Sequence, residues 1–251
     1  IVTRLHKDAD FSPAQWQPAP SYYWDTWRRE CDLADHIIVN SAWSKQALVK
    51  AAVKEAKIQV IPLAYQVPKK SFTFKRKYPE SFTQERPCRI LFLGQVNLRK
   101  GILPLLQALD VIEDMPAELW VVGRTQFKLP HKWLSHPKIH WVGSVPRGTA
   151  GKYYQQADLF ILPTYSDGFA LTQLEAAAWK LPLIVSSHCG EVVEHQVNGF
   201  ILSKVNAFSI AEALKFCISN PQELASMSSR ATTEKNSLEN LERNIEKILT
   251  E

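Results

Sequence analysis

Asp158-Leu159-Phe160-Ile161-Leu162-Pro163, then Thr164-Tyr165-Ser166-Asp167-Gly168-Phe169, then Ala170-Leu171-Thr172-Gln173-Leu174-Glu175-Ala176-Ala177-Ala178-Trp179, closing on Lys180-Leu181-Pro182-Leu183-Ile184-Val185, is the stretch that settles the architecture. It reads as a buried strand, a short turn at a glycine, a helix and a second buried strand. Leu171, Leu174 and Ala178 recur at helical spacing and form one apolar stripe. Glu175 falls on that stripe, four residues after Leu171. A carboxylate on an inward helix face is costly unless something bonds it. Either a protein donor or a ligand hydroxyl must meet it there.

Working outward, all nine glycines lie between Gly94 and Gly199. Glycine marks turns and close backbone approach, so the middle of the chain is read as the functional part. Strand-like runs at 89–93, 118–122, 139–142 and 158–162 end at Gly94, Gly123, Gly143 and Pro163, and a fifth starts at Leu183. Helical patterns at 102–112, 149–157 and 171–179 lie between them. Apolar strands alternating with helices predict an α/β, Rossmann-like parallel sheet with helices on both faces. Ligands bind such sheets at the carboxyl ends of the strands.

The first 65 residues form a smaller α/β piece. A helix is expected at 21–35, a strand at 36–40, a helix at 44–52 capped near Ser41 or Ser44, and a strand at 57–61. Two strands and two helices are thin for a domain, so residues 1–65 are read as the truncated end of an N-terminal, acceptor-side domain. Residues 66–87 are polar, basic and proline-containing and read as a linker. Residues 88–235 form the C-terminal domain. Residues 236–251 form a helix whose Leu238, Leu241, Ile245 and Ile248 stripe is expected to pack back toward the N-terminal piece.

The 251 residues are 45% apolar and 22% charged, ordinary for a globular protein, with a net charge of +5. No apolar run approaches the roughly 20 residues that span a bilayer. The first residues lack a signal-peptide pattern and begin without Met; the expectation is a cytoplasmic chain that is a piece of a longer one. Cys31, Cys88, Cys189 and Cys217 lack metal or redox spacing and read as free thiols in a reducing compartment. The run from Lys69 to Lys77 is read as a solvated linker, with contact to lipid or a partner as the alternative. Nucleic acid would want a basic stripe with interleaved aromatics, to which this run, with Phe72 and Phe74, is the nearest candidate; no nucleic-acid partner is expected.

Three segments resemble the retaining glycosyltransferases of family 4, which have the GT-B fold. Residues 29–65 resemble the close of that family's N-terminal domain. Residues 90–101, Ile90-Leu91-Phe92-Leu93-Gly94-Gln95-Val96-Asn97-Leu98-Arg99-Lys100-Gly101, resemble its first C-terminal strand and diphosphate loop. Residues 158–200 resemble its donor-site block. The family carries two glutamates separated by seven residues; Asp167 stands in the first place and Glu175 in the second. The resemblance implies that Asp167 meets the donor-sugar hydroxyls and Glu175 the ribose hydroxyls. A carboxylate bonded by a vicinal diol is well satisfied; the bland alternative for Glu175 is a carboxylate serving the helix dipole or a protein donor. The resemblance also places the distal phosphate and sugar at the backbone of Gly168, Phe169, Ala170 and Leu171, where a helix start favours an anion.

Lys100 matches the family's diphosphate lysine. Many relatives carry an arginine after the glycine that is Gly94 here; this chain has Gln95, and Arg99 is the candidate to supply that charge. Arg124 and Val145 follow strands on the same edge and are expected to border the base. The implied substrate is a UDP- or GDP-sugar, with no cofactor, no metal and no protein nucleophile. Asp167, Glu175 and Lys100 carry the reaction. The implied acceptor is a glycan or lipid-linked sugar, with peripheral contact at the inner face of a membrane left open. The isolated chain, mainly the donor-binding part, is expected to transfer weakly or not at all. A non-catalytic sugar-nucleotide module and a GT-B phosphorylase or epimerase remain alternatives. His188, Glu191 and Glu194 read as structural, and Trp16, Trp24, Trp27 and Trp43 as core or interdomain packing.

Overall fold

The computed structural model describes residues 4–5 and 17–250; Trp16 lies outside them. Helix α1 (Ser21–Leu33), strand β1 (Ile37–Val39), helix α2 (Ala42–Lys50) and strand β2 (Ile58–Val60) come first. The two strands pair in parallel as a sheet of their own. Ser41 caps α2, accepting from the Ser44 N–H at 3.1 Å, as expected of a serine with extended backbone at this position.

The main sheet contains β3 (Cys88–Leu93), β4 (Ala117–Val122), β5 (Ile139–Gly143), β6 (Leu159–Leu162), β7 (Leu183–Ser186) and β8 (Gly199–Leu202). Its spatial order is β5-β4-β3-β6-β7-β8, with every pair parallel. Helices α3 (Ile102–Val111), α4 (His131–Leu134), α5 (Arg147–Gln156) and α6 (Leu171–Ala178) connect the strands, and α7 (Ala207–Ser219) and α8 (Pro221–Arg230) follow β8. Ile90, Leu91 and Phe92 of β3, all of β6 and Leu183–Val185 of β7 are buried. These strands are covered on both faces, which is why they read as unbroken apolar runs.

The strand order positions the site. β3, β4 and β5 run outward in one direction; the chain then returns and lays β6 on the other side of β3. The crevice at such a reversal, outside the carboxyl ends of the strands, is the general ligand position of open α/β sheets. Here it opens between the ends of β3 and β6. Gly101 holds the crevice together: its φ is +73°, and a Cβ there would stand 1.8 Å from the Pro163 carbonyl oxygen.

Residues 66–87 are not the solvated run the composition suggests. Ser71 and Phe82 are buried. The Arg76 guanidinium donates to the carbonyls of Tyr154 at 2.7 Å, Gln155 at 3.3 Å, Trp179 at 2.8 Å and Lys180 at 3.2 Å, and also to that of Ala157. These are the last carbonyls of α5 and α6, so one cation satisfies orphan acceptors at two helix C-termini and meets the negative end of both dipoles. Phe74 packs edge-on against Trp179 at 5.4 Å. Asp158, at the mouth of β6, takes a bidentate pair from Arg86 at 2.7 and 2.6 Å and the Arg89 N–H at 2.9 Å.

Strand β8 and helices α7 and α8 have no counterpart in the sequence reading. The tail helix, α9 (Leu238–Thr250), buries no residue, and Leu238 and Ile245 of its stripe are exposed. Its link to the N-terminal piece runs instead through the preceding turn: Asn236 accepts from the Tyr65 N–H at 2.9 Å and donates to the Leu63 carbonyl at 2.9 Å. No described helix is long and apolar enough to cross a membrane.

Candidate functional site

Beyond β3, Gly94 leads into a single turn at Leu98–Lys100. Asn97 caps it, accepting from the Lys100 N–H at 3.0 Å. The Arg99 carbonyl accepts from Thr164 Oγ1 at 3.1 Å and from the Tyr165 N–H at 2.8 Å, which binds this turn to the exit of β6. In consequence Lys100 Nζ and the Asp167 carboxylate form a hydrogen-bonded ion pair, both side chains largely buried at 13% and 15% exposure. Arg99 Nη1 donates to the Ser166 carbonyl and lies 3.9 Å from Asp167 Oδ2. Within this trio two cations face one carboxylate, so positive charge is left over for a further anion.

Helix α6 begins at Leu171, where the helical pattern at 171–179 puts it. Ala170 precedes it with φ +64° and caps it with no side chain. A non-glycine residue in this region stores strain of about 1–2 kcal/mol. The first N–H groups of a helix lack intrahelical partners and carry the positive end of its dipole; here the Gln173 N–H donates to the Ala170 carbonyl at 3.0 Å, which leaves those of Leu171 and Thr172. Phe169 contributes only backbone, because its ring is buried at 2% exposure and sits where a Gly190 Cβ would meet it at 2.4 Å. The Asp167 N–H is taken by the His188 carbonyl at 2.8 Å.

Glu175 does not share a core-facing stripe with Leu174 and Ala178. Leu174, Ala176, Ala177 and Ala178 are buried, whereas Leu171 is 39% exposed and Glu175 half-buried. Leu171 and Glu175, one turn apart, line a cavity of about 750 Å³ instead. Helix α5 supplies a second wall with Arg147, Gly148 and Gly151, and residues 64–70 supply a third with Ala64, Tyr65 and Gln66. Tyr154 anchors the carboxylate, its hydroxyl donating to Glu175 Oε2 at 2.6 Å. Burial, then the charge of Glu175, pushes the Tyr154 pKa well up, so the phenol remains a donor at neutral pH.

The expected site residues therefore fall into two groups. Gly94, Arg99, Lys100, Asp167 and the backbone of Gly168–Leu171 gather at the switch point; Leu171 and Glu175 face the adjoining cavity. Gln95 and Arg124 are exposed and Val145 half-buried, and none of the three lines that cavity. Arg147, two residues beyond Val145, does.

Several neighbours escape a linear reading. Tyr154 and Tyr65 belong to the cavity, yet nothing local marks them. From the N-terminal piece, the Asn40 amide stands 3.2 Å from where a Cβ on Gly168 would be. Trp43 packs on the His188 ring at 4.6 Å, and the Ala42 N–H donates to Glu191 Oε1 at 3.1 Å. Trp24 is 48% exposed and packs on Trp27 rather than in a core. Cys189, beneath the site, is pushed up to about 12, chiefly by burial, which keeps its thiol protonated and inert. Among the described residues no three His, Cys, Asp or Glu side chains are grouped to hold a metal ion.

Residues 87–220 match the sequence family described as glycosyl transferases group 1. That is more than half of the chain, and the chain belongs to this family. An uncharacterized glycosyltransferase of Methanocaldococcus jannaschii is 32% identical over 136 residues, covering 51% of this chain and 35% of that protein. The putative teichuronic acid biosynthesis glycosyltransferase TuaC of Bacillus subtilis is 32% identical over 131 residues, covering 49% of this chain and 31% of that one. The chain thus spans about a third of the length of these curated relatives. Among solved structures, Anabaena HepE in complex with UDP and glucose superposes with a TM-score of 0.70 at 18% identity, covering 90% of this chain and 67% of that one. The architecture is shared with such glycosyltransferases: a parallel sheet flanked by helices.

Proposed function

We propose that the chain binds a nucleotide-diphosphate sugar and contributes the donor half of a glycosyl transfer with retention of configuration, as in glycosyltransferase family 4. One observation carries this reading. Glu175 is a half-buried carboxylate that faces an open cavity, held by one buried phenol and, among the described residues, by no ion pair. A buried carboxylate so placed still has lone pairs to fill, and the hydroxyls of a ribose fill them.

The rest of the donor follows from that anchor. The diphosphate lies at the start of α6, met by the first-turn N–H groups and by Lys100 and Arg99. In the free protein Lys100 is paired with Asp167, so the diphosphate competes with that carboxylate for the ammonium. Asp167, released, takes hydroxyls of the sugar. During transfer the bond from the anomeric carbon to the diphosphate oxygen breaks and a bond to the acceptor oxygen forms. The acceptor proton goes to a diphosphate oxygen, and Lys100, Arg99 and the helix start stabilise the negative charge on the leaving group.

UDP is the favoured nucleotide, because HepE, which has this architecture, binds UDP and glucose; GDP is the other candidate. The acceptor in this reading is the hydroxyl of a glycan or lipid-linked sugar, met in the cytoplasm, at a membrane face where the acceptor is lipid-linked. Residues 88–235 act as the donor-binding domain.

Calorimetric titration of UDP, GDP and ADP and their glucose conjugates tests the proposal. One nucleotide should bind well above the others, with Glu175→Ala and Lys100→Ala each weakening it about tenfold or more. The proposal fails if no nucleotide binds, or if both variants bind as the parent chain does.

A further inference from the structure

The cavity beside Glu175 has a wall that the sequence did not announce. Tyr65 lies in the segment joining the small N-terminal sheet to the main sheet; it is half-buried and lines the same cavity as helix α5. The surface of α5 there is unusually bare. Gly148 and Gly151 lie three residues apart on one face of the helix. A Cβ on Gly148 would meet nothing within 4 Å, and one on Gly151 would only touch the Trp179 ring at 3.5 Å. Tyr65, Gly148, Gly151, Leu171, Glu175 and Arg147 all line this one slot.

The position of Tyr65 is fixed from outside the slot. Its N–H donates to the Asn236 carbonyl at 2.9 Å, and the Asn236 side-chain amide donates to the Leu63 carbonyl at 2.9 Å. Asn236 is itself 9% exposed. These two bonds tie residues 63–65 to the C-terminal turn at Glu234–Asn236. The hydroxyl of Tyr65 has its pKa raised, first by burial and then by the charge of Glu175, with Arg147 opposing. Its ring therefore shares the neighbourhood of the carboxylate and of the guanidinium at once.

We infer that Tyr65 is the base-contacting residue of the donor site, its ring covering one face of the nucleobase while the Gly148–Gly151 surface of α5 covers the other, with Asn236 as the positioning residue. The inference rests on the nucleotide-sugar reading of Glu175 and adds the part of the donor that Glu175 cannot hold. A flat heterocycle suits a slot whose lining includes an aromatic side chain and two glycines of a helix. A ribose held at Glu175 would present its base there, because base and hydroxyls lie on the same five-membered ring.

The test compares ligands with and without a base. The full 251-residue chain is titrated with UDP and with ribose 5-phosphate, alongside the Tyr65→Phe, Tyr65→Leu, Tyr65→Ala and Asn236→Ala variants, each checked by thermal melting. Tyr65→Phe keeps the ring and should bind UDP within about twofold of the parent. Tyr65→Ala should weaken UDP about tenfold, the size expected of one base–aromatic contact, and leave ribose 5-phosphate unchanged. Tyr65→Leu, which keeps bulk without a flat face, should fall near Tyr65→Ala. Asn236→Ala should weaken UDP several-fold and spare ribose 5-phosphate.

Equal loss for both ligands in Tyr65→Ala, or UDP affinity retained in it, overturns the inference. If UDP binding is retained in Tyr65→Ala but lost in Glu175→Ala, the base contact alone is refuted and the donor reading stands. If the parent chain binds neither ligand, both readings fall together.

Discussion

Replacing Tyr154 by Phe removes one oxygen atom and isolates the support beneath Glu175. The Tyr154 hydroxyl bonds Glu175 Oε2 at 2.6 Å, within the range of strong O–H···O⁻ bonds. A hydrogen bond to a charged group contributes about 1.5–3 kcal/mol. Glu175 borders an open cavity, so water recovers part of the loss, and the lower figure of about 1.5 kcal/mol applies. The ring keeps its packing, 6.2 Å from Phe160, and the oxygen removed leaves no large void. Each kcal/mol moves the melting temperature by about 2–4 °C at this chain length, so Tyr154→Phe should melt about 3–6 °C lower. Affinity for UDP should fall about fivefold, since the carboxylate loses the bond that fixes its orientation. A double-mutant cycle sharpens the test. Glu175→Ala in the parent strands a buried phenol at a cost of about 1–3 kcal/mol; in the Tyr154→Phe background there is no phenol to strand, so the same substitution should cost less. Thermal melts and calorimetry on the four proteins measure both quantities. Strict additivity, or a Tyr154→Phe chain that melts and binds like the parent, would refute the coupling.

Arg76→Ala leaves the carbonyls at the ends of α5 and α6 without their donor and should destabilise by about 3 kcal/mol or more, read from urea unfolding; a loss under 1 kcal/mol would return the segment to a solvated linker. Gly101→Ala combines a left-handed backbone with a Cβ 1.8 Å from the Pro163 oxygen, so it should cost more than about 2 kcal/mol and also abolish UDP binding. Ala170→Gly relieves the left-handed strain before α6 and should leave stability equal or raise it by up to about 1 kcal/mol, the reverse of an ordinary Ala→Gly change. Burial pushes Cys189 and Cys217 up from 9.0 to about 12. The unfolded chain therefore releases those protons first as pH rises, so their contribution is intact below pH 9 and is lost between pH 9 and about 12. Chemical unfolding across that window should show Cys217→Val losing stability less steeply than the parent.

The sheet was legible where physics leaves a local mark. Strands buried on both faces must be apolar along their buried length, and 90–93, 159–162 and 183–185 are. Strand β8, Gly199-Phe200-Ile201-Leu202, is not marked in this way: it opens on a glycine, and Phe200 and Ile201 are only half-buried. The helices after it did carry signals. Asn206 caps α7 by accepting from the Ser209 N–H at 2.8 Å, and Pro221 occupies the first turn of α8. The segment 66–87 misled for a different reason. Arg76 stands among lysines and looks solvated, but its acceptors lie 78 to 104 residues away, where no local pattern reaches.

Glu175 shows most sharply what a periodic reading can do. Helical spacing put it on the Leu171 stripe, and that was correct as geometry. The period alone says only that this face differs from the rest and points inward; whether it meets the core or a ligand is left open. A helix lining a crevice has two inward faces, one packed and one empty. In α6 the packed face is Leu174, Ala177 and Ala178, and the empty one is Leu171 and Glu175. What separates the two is the carboxylate itself, which a packed face tolerates only with full hydrogen bonding. Among the described residues Glu175 has one protein donor, on one oxygen. The other oxygen therefore has to be served by what fills the cavity, so a polar residue on an apolar period points to a crevice rather than to a core.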